Sequence, residues 1–439
     1  MFSESFALAV AAYVVVKAVE AVVGRSGADG SGGVVAPVAF VRFQRNYLAV
    51  YLLAMGADWL KGPYAYVLYE SYGFSNGDIA LLFMGGFGAS MVFGTVAGSV
   101  ADTLGRKRAV LAFALAYSLA SLTKLSSSFG VLLGGRVASG IATSLLFSVF
   151  EAWMVCEHNA RGFDPSLLAD TFSKTTLGNG MVAVTAGLLA SGLAERFGFV
   201  APFLAAVVPL VALGAIVAVT WPENYGDASV NVGQGMANGL STLLTTPKVL
   251  CLGLAQALFE GGMYVFVFMW SPALATAETR DTLPYGFIFA VFMVCVMVGS
   301  AIFGLVAGFS LKAVPIVLHV AAASAMATVA YCNASKAVVY GAFLTFEVAC
   351  GMFFPSYGTL RSMHVPEAAR SAVMNFTRVP LNAFVIALLY AVKFVDLEVT
   401  SVFWICACAQ ACAGVFYLVF VALDLAPDAG AAAAAKKSQ

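Results

Sequence analysis

Six charged side chains lie inside stretches that are otherwise almost wholly apolar: Asp58, Lys61, Arg136, Glu260, Glu347 and Arg378. A charge near the middle of a bilayer costs about 2.5–3.5 kcal/mol even on the lenient insertion scale, so each needs a partner or a watery cavity. Two of the six are guanidinium groups, one in each half of the chain. Arginine is always charged and presents a planar fork of donors that grips an oxyanion through two bonds at once. Lys61 and Lys174 add positive charge, while Asn375 and Ser148 add neutral donors. Read on their own, these residues describe a site for an anionic or polar solute.

The acids need a separate account. Asp58, Glu260 and Glu347 repel a dianion unless they are paired or protonated. One arrangement pairs them: Asp58 with Lys61 three residues on, and Glu260 or Glu347 with Arg378 as a clasp between helices. The other lets one of them bind a proton together with the anion, because burial favours the neutral carboxyl. Glu151, near the inner end of its segment, reads as a gate or a loop pair.

The elements that must hold these groups are membrane helices. The 439 residues are 61% hydrophobic and 10% charged, with a mean hydropathy of +0.91, whereas a soluble domain carries about 25% charged residues. From Arg42 onward, apolar segments near the ~20 residues needed to span fall at about 46–70, 78–101, 109–127, 130–154, 169–193, 200–221, 249–273, 284–308, 312–332, 337–360, 368–392 and 400–424. The expected fold is therefore an all-α membrane protein of twelve spanning helices. An additional apolar run, 5–23, is interrupted by Lys17 and Glu20 and lacks the basic start of a cleaved signal. The expected organisation is an N-terminal helix and linker (1–41), a six-helix bundle (42–222), a polar central loop (223–247), a second six-helix bundle (248–425) and a short tail (426–439). The even helix count puts Lys436 and Lys437 on the same face as Arg42 and Arg45.

Orientation follows from a basic hairpin, Gly98-Ser-Val-Ala-Asp102-Thr-Leu-Gly105-Arg106-Lys107-Arg108. Lysine and arginine are retained in the cytoplasm, which makes this the inner face. Gly98 allows a close helix approach, Asp102 and Arg106 are spaced to pair, and Gly105 permits a sharp helix exit. The stretch resembles the loop signature of the major facilitator superfamily, between its second and third helices. Thr103 stands where that signature usually has a basic residue. The resemblance implies two bundles related by repeat, and Gly304-Leu-Val-Ala-Gly308 with Lys312 holds the matching place in the second half, with the acid lost.

In that superfamily the first, fourth, seventh and tenth helices line a central cavity. Here those four carry Asp58 and Lys61, Arg136, Glu260, and Glu347, while the third, sixth, ninth and twelfth carry no charge in their central parts. Further stretches resemble the molybdate-anion transporter branch over about 42–424. They are Ala57-Asp-Trp-Leu-Lys-Gly-Pro-Tyr64, Leu146-Phe-Ser-Val-Phe-Glu-Ala-Trp153, Gln256-Ala-Leu-Phe-Glu260, Glu347 through Ser356, and Asn375-Phe-Thr-Arg-Val-Pro380. The resemblance implies uptake of molybdate, a tetrahedral dianion, by alternating access across the plasma membrane. The expected carrier is a monomer in lipid, with protons as the co-transported ion and Arg136 and Arg378 sharing a chamber at the midplane. Two other readings stay open: a carrier of another small anion or organic solute, and a non-transporting sensor with the same fold.

Other classes find no support in the sequence. Lys plus Arg and Asp plus Glu both number 23, so no basic surface invites nucleic acid. The eight cysteines and three histidines lack ligand spacing, and no nucleophile–base arrangement or phosphate loop appears. Neither enzyme, metal nor cofactor is expected.

Overall fold

Long apolar stretches without backbone partners in lipid must bond internally, and in the computed structural model the regular structure among the described residues is helical. Those residues are 2–25, 36–226, 232–276 and 278–425. The helices are α1 (Phe2–Arg25), α2 (Val38–Lys61), α3 (Ala65–Ser71), α4 (Asn76–Leu104), α5 (Arg106–Leu122), α6 (Phe129–Leu146), α7 (Val149–Ala160), α8 (Ser166–Phe197) and α9 (Ala201–Ala205). They continue with α10 (Val207–Thr220), α11 (Val232–Thr245), α12 (Pro247–Leu274), α13 (Tyr285–Ser310), α14 (Val314–Tyr331), α15 (Lys336–His364), α16 (Glu367–Phe394) and α17 (Val399–Leu425).

Twelve described helices are long and apolar enough to cross a membrane. That set includes α1 and omits α2, whose Arg42, Gln44, Arg45, Asp58 and Lys61 make it too polar. Yet α2 packs against α8 and α10 as a full member of the first bundle. The first spanning element is therefore displaced from the expected 46–70. Phe40, Phe43, Gln44 and Tyr47 are buried, with Gln44 bonded to Asp170 and Thr171 at 2.9 Å. The helix ends at a 3₁₀ turn that starts at Gly62-Pro63, because proline cannot continue the backbone ladder.

Contacts divide the helices into halves. In the first, α2 lies on α8 and α10, α4 on α6, and α5 on α6 and α10; in the second, α12 and α14 lie on α17, and α13 and α14 on α15. The halves meet along α4–α16 and α8–α13. Helix α1 lies along α13: Phe2 and Phe6 touch Tyr340 and Phe287 at ring distances of 5.1 and 5.3 Å, and Glu20 reaches Gly304. Its 24 residues give about 36 Å at about 1.5 Å per residue, the length of a full crossing. Lys17 and Glu20 pair at 2.6 Å. The polar central stretch contains α11, which packs on α12 and α16.

The inner face holds a repeat that the sequence hid. Gly105, at φ 108, separates α4 from α5. Beyond α10, the Glu223 carboxylate accepts the Lys107 and Arg108 backbone N–H groups at 2.7 and 3.3 Å, covering the start of α5. In the second half Asp424, at the end of α17, pairs with Lys312 (2.5 Å), Lys248 (3.2 Å) and His364 (3.6 Å). The acid missing after Gly308 is thus supplied from the last helix of the bundle.

Candidate functional site

Five elements of the first half converge near its outer end. Lys61 closes α2, Tyr69 lies on α3, Tyr117 on α5, Lys124 in the 3₁₀ turn Thr123–Leu125, and Arg136 is seven residues into α6. The Tyr117 hydroxyl donates to the Asp58 carboxylate. Lys61 Nζ stands 2.9 Å above the centre of the same ring, so the two residues meet through Tyr117, and no Asp58–Lys61 ion pair forms among the described residues. Arg136 stacks on Phe83 at 4.2 Å and its Nε donates to the Leu82 carbonyl at 3.3 Å. Gly86 makes room for it: an added Cβ would lie 3.1 Å from the guanidinium.

The second half contributes a chain of polar groups. Arg361 donates to Gln256 Oε1 at 2.7 Å, and Gln256 Nε2 donates to Glu260 at 2.8 Å. Arg378 is exposed, lies within electrostatic reach of Glu260 and Tyr264, and has no ion pair among the described residues. The expected clasp to Glu260 or Glu347 is not formed. Glu347 is buried, 7% exposed, beside Cys295 and Cys350 and away from these groups. Asn375 is half-buried one turn before Arg378.

Arg136 stacks on Phe83, and Arg378 acts on Tyr264. A ladder of rings runs between them: Phe83 to Phe87 at 6.3 Å, and Phe87 to Tyr264 at 5.4 Å. Tyr264 is also within reach of Asp58, which makes it the link between the halves. On the inner side a cavity of about 170 Å³ is lined by Tyr47, Tyr51, Leu146, Phe147, Glu151, Phe172, Thr175 and Thr176. The expected fourth helix breaks beside it, α6 ending at Leu146 and α7 starting at Val149. Ser148 in the break spends its hydroxyl on the Ser144 carbonyl at 2.7 Å. Lys174 is held by Asp170 (2.7 Å) and Gln44 (3.0 Å).

Every described ion pair between the halves is at the outer end: Lys393–Asp78 at 2.7 Å and Arg280–Glu70 at 3.2 Å. There the Gly286 N–H also donates to Tyr64 at 3.2 Å, and the backbones of Gly187 and Gly286 touch. At the inner ends there are ties within each half. Asp102 pairs with its own Arg106 at 2.7 Å, and Lys107 bonds the Ala218 carbonyl at 2.9 Å. The close neighbour expected at Gly98 is missing, since an added Cβ there would meet nothing within 4 Å. Among the described residues, the ion pairs between the halves thus cluster at the end that carries Gly286.

Sequence reasoning passed over Lys124, Tyr69, Tyr117, Arg361 and Tyr264. In the sequence Lys124 and Arg361 lie near the ends of apolar segments, and Tyr69, Tyr117 and Tyr264 lie within them. For Lys124, Tyr69, Tyr117 and Arg361, placement within five residues of a helix end, with a side chain long enough to turn inward, was the available signal; Tyr264, in the middle of α12, offered none.

A family described as sugar transporters with twelve transmembrane segments matches residues 9–352. The molybdate-anion transporter of Xenopus tropicalis is 38% identical over 363 residues, which is 80% of this chain and 79% of that one. The chain belongs to the molybdate-anion transporter family. The molybdate-anion transporter of Danio rerio is 36% identical over 383 residues, 79% of each chain. Among solved structures, the D-xylose-proton symporter matches with TM-score 0.67 and 14% identity over 88% of this chain and 98% of its own. A partially occluded inward-open XylE from E. coli gives 0.63 at 12% identity, over 86% and 98%. The fold is the major facilitator fold of two six-helix bundles with an added N-terminal helix, and the molybdate-anion transporter family places this chain among multi-pass membrane transporters rather than enzymes.

Proposed function

We propose that the chain takes up molybdate across the plasma membrane by alternating access, as a monomer. Residues 42–222 and 248–425 are the rocking halves, 223–247 is their inner connection, and the loop of Gly98, Asp102, Gly105, Arg106 and Lys107 governs the inner closure. The substrate meets Arg136, Lys61 and Ser148 in the first half and Arg378 and Asn375 in the second, with Lys174 adding positive charge at the inner mouth. The named relatives support molybdate. The observation that carries the reading is Arg378: a guanidinium within a membrane helix, exposed and without an ion pair among the described residues, is a donor fork left for a passing oxyanion.

Arg378→Ala is expected to lower molybdate uptake at least about tenfold, the loss expected when a charge-assisted contact disappears, with surface expression unchanged. Uptake equal to that of the unaltered chain makes Arg378 structural. Tungstate and sulfate added as competitors define how narrow the anion class is.

Proton coupling belongs to the same proposal, with Asp58, Glu260 or Glu347 as the proton carrier and Glu151 as a gate at the inner cavity. A protonophore is expected to abolish accumulation above the outside concentration while leaving equilibration intact. Undiminished accumulation removes the proton from the cycle.

A further inference from the structure

Lys124 is a buried ammonium group without a bonding partner. The residue is 4% exposed and its Nζ has no hydrogen-bond partner. It lies 5.1 Å from the centre of the Tyr69 ring, and the buried Tyr69 hydroxyl, which the Arg136 guanidinium acts on, makes no well-formed hydrogen bond. Arg136 and Lys61 are the other charges acting on Lys124, and both are cations. Two orphaned polar groups side by side, next to two further cations, are not explained by packing, since buried polar groups are almost always paired. Asp58 is the one carboxylate acting on Lys61. With both lysines protonated, Lys61, Lys124 and Arg136 against Asp58 leave a surplus of two positive charges.

We infer that Lys124, Tyr69, Arg136 and Lys61 form a pocket for one tetrahedral dianion in the first half, below the outer gate. The donors come from four different elements, as a tetrahedral ligand requires, and two negative charges cancel the surplus. Lys124 Nζ and Tyr69 Oη are the donors left open for its oxygens. The pocket lies on the outer side of the Phe83, Phe87 and Tyr264 ring ladder, so it loads when the halves part outside. Arg378 lies on the other side, facing the inner opening. The inference rests on the anion-transport reading and adds to it a station and two ligands.

The test is equilibrium dialysis of the purified full-length protein against sodium molybdate, with sodium sulfate and sodium chloride as separate arms, read by mass spectrometry. Saturable binding of molybdate, or of both tetrahedral anions, with none of chloride is expected. Lys124→Met should weaken it at least about tenfold, as loss of one charge-assisted bond does. Lys124→Arg should restore most of it, and Tyr69→Phe should weaken it severalfold. If Lys124→Met does not fold, the Lys124→Arg and Tyr69→Phe pair carries the comparison. Unchanged binding in a folded Lys124→Met or in Tyr69→Phe overturns the pocket. Absence of oxyanion binding by the unaltered protein overturns the transport reading itself.

Discussion

Gly286→Val stops uptake and traps the protein open to the outside. Near the outer end of the α8–α13 contact, the two backbones touch at Gly187 and Gly286, and a Cβ on Gly286 would run into the Gly187 carbonyl and sit 2.7 Å from the Ser191 backbone nitrogen. Backbone cannot move aside as a side chain can, so α8 and α13 must separate. Overpacking of this kind costs about 1–3 kcal/mol or more, and about 1.4 kcal/mol is a tenfold shift between states. Uptake should fall about tenfold to a hundredfold. Labelling of a cysteine placed at Thr176, in the wall of the inner cavity, should slow in parallel when the reagent is added from the cytoplasmic side. Gly192→Ala, on the facing helix α8, is the control, because a Cβ there meets nothing within 4 Å; it should transport normally. Full uptake by Gly286→Val would show that the outer ends need not meet.

Asp58→Ala should be the most destabilising change in the first half. It removes the carboxylate from a group holding Lys61, Lys124 and Arg136, and orphans the Tyr117 hydroxyl that donates to it. Breaking a buried charge arrangement by deleting one partner costs about 3–5 kcal/mol, while replacing both partners by apolar groups is often near neutral. The single variant is therefore expected to melt well below the unaltered protein in detergent, and Asp58→Ala combined with Lys61→Met should recover much of the loss. Asp58→Asn separates the two roles, since the amide oxygen still accepts from Tyr117 without supplying charge. A double variant no more stable than the single would show that Lys61 does not depend on Asp58.

These two sites differ in how readable they were. The apolar segments announced two bundles, because lipid demands long uncharged runs, and the basic hairpin set the orientation expected for them, because cations stay inside. Asp58, Lys61, Arg136 and Arg378 stood out for the same reason, as expensive residues in those runs. The segment containing the first two was misplaced by about eight residues at its start, since Arg42, Gln44 and Arg45 looked like loop while their neighbours Phe40, Phe43 and Tyr47 are buried. Lys124 was invisible as a ligand because only the folded chain turns its ammonium group under Tyr69. The gate pairs were invisible for another reason: Asp78 and Lys393 are 315 residues apart, and no local pattern couples them. Glu223 and Asp424 likewise acquire matching jobs only when the sixth and twelfth helices of the bundles come down beside the third and ninth.

Helix α1 opens the chain but lies against α13, in the opposite half from α2, which follows it. Eleven Cα steps separate Arg25 from Ala36, and a fully extended chain spans at most about 3.3–3.6 Å per residue. Arg25 and Ala36 therefore cannot part by more than roughly 36–40 Å, which bounds how far α1, seated on the second half, can move from α2 in the first.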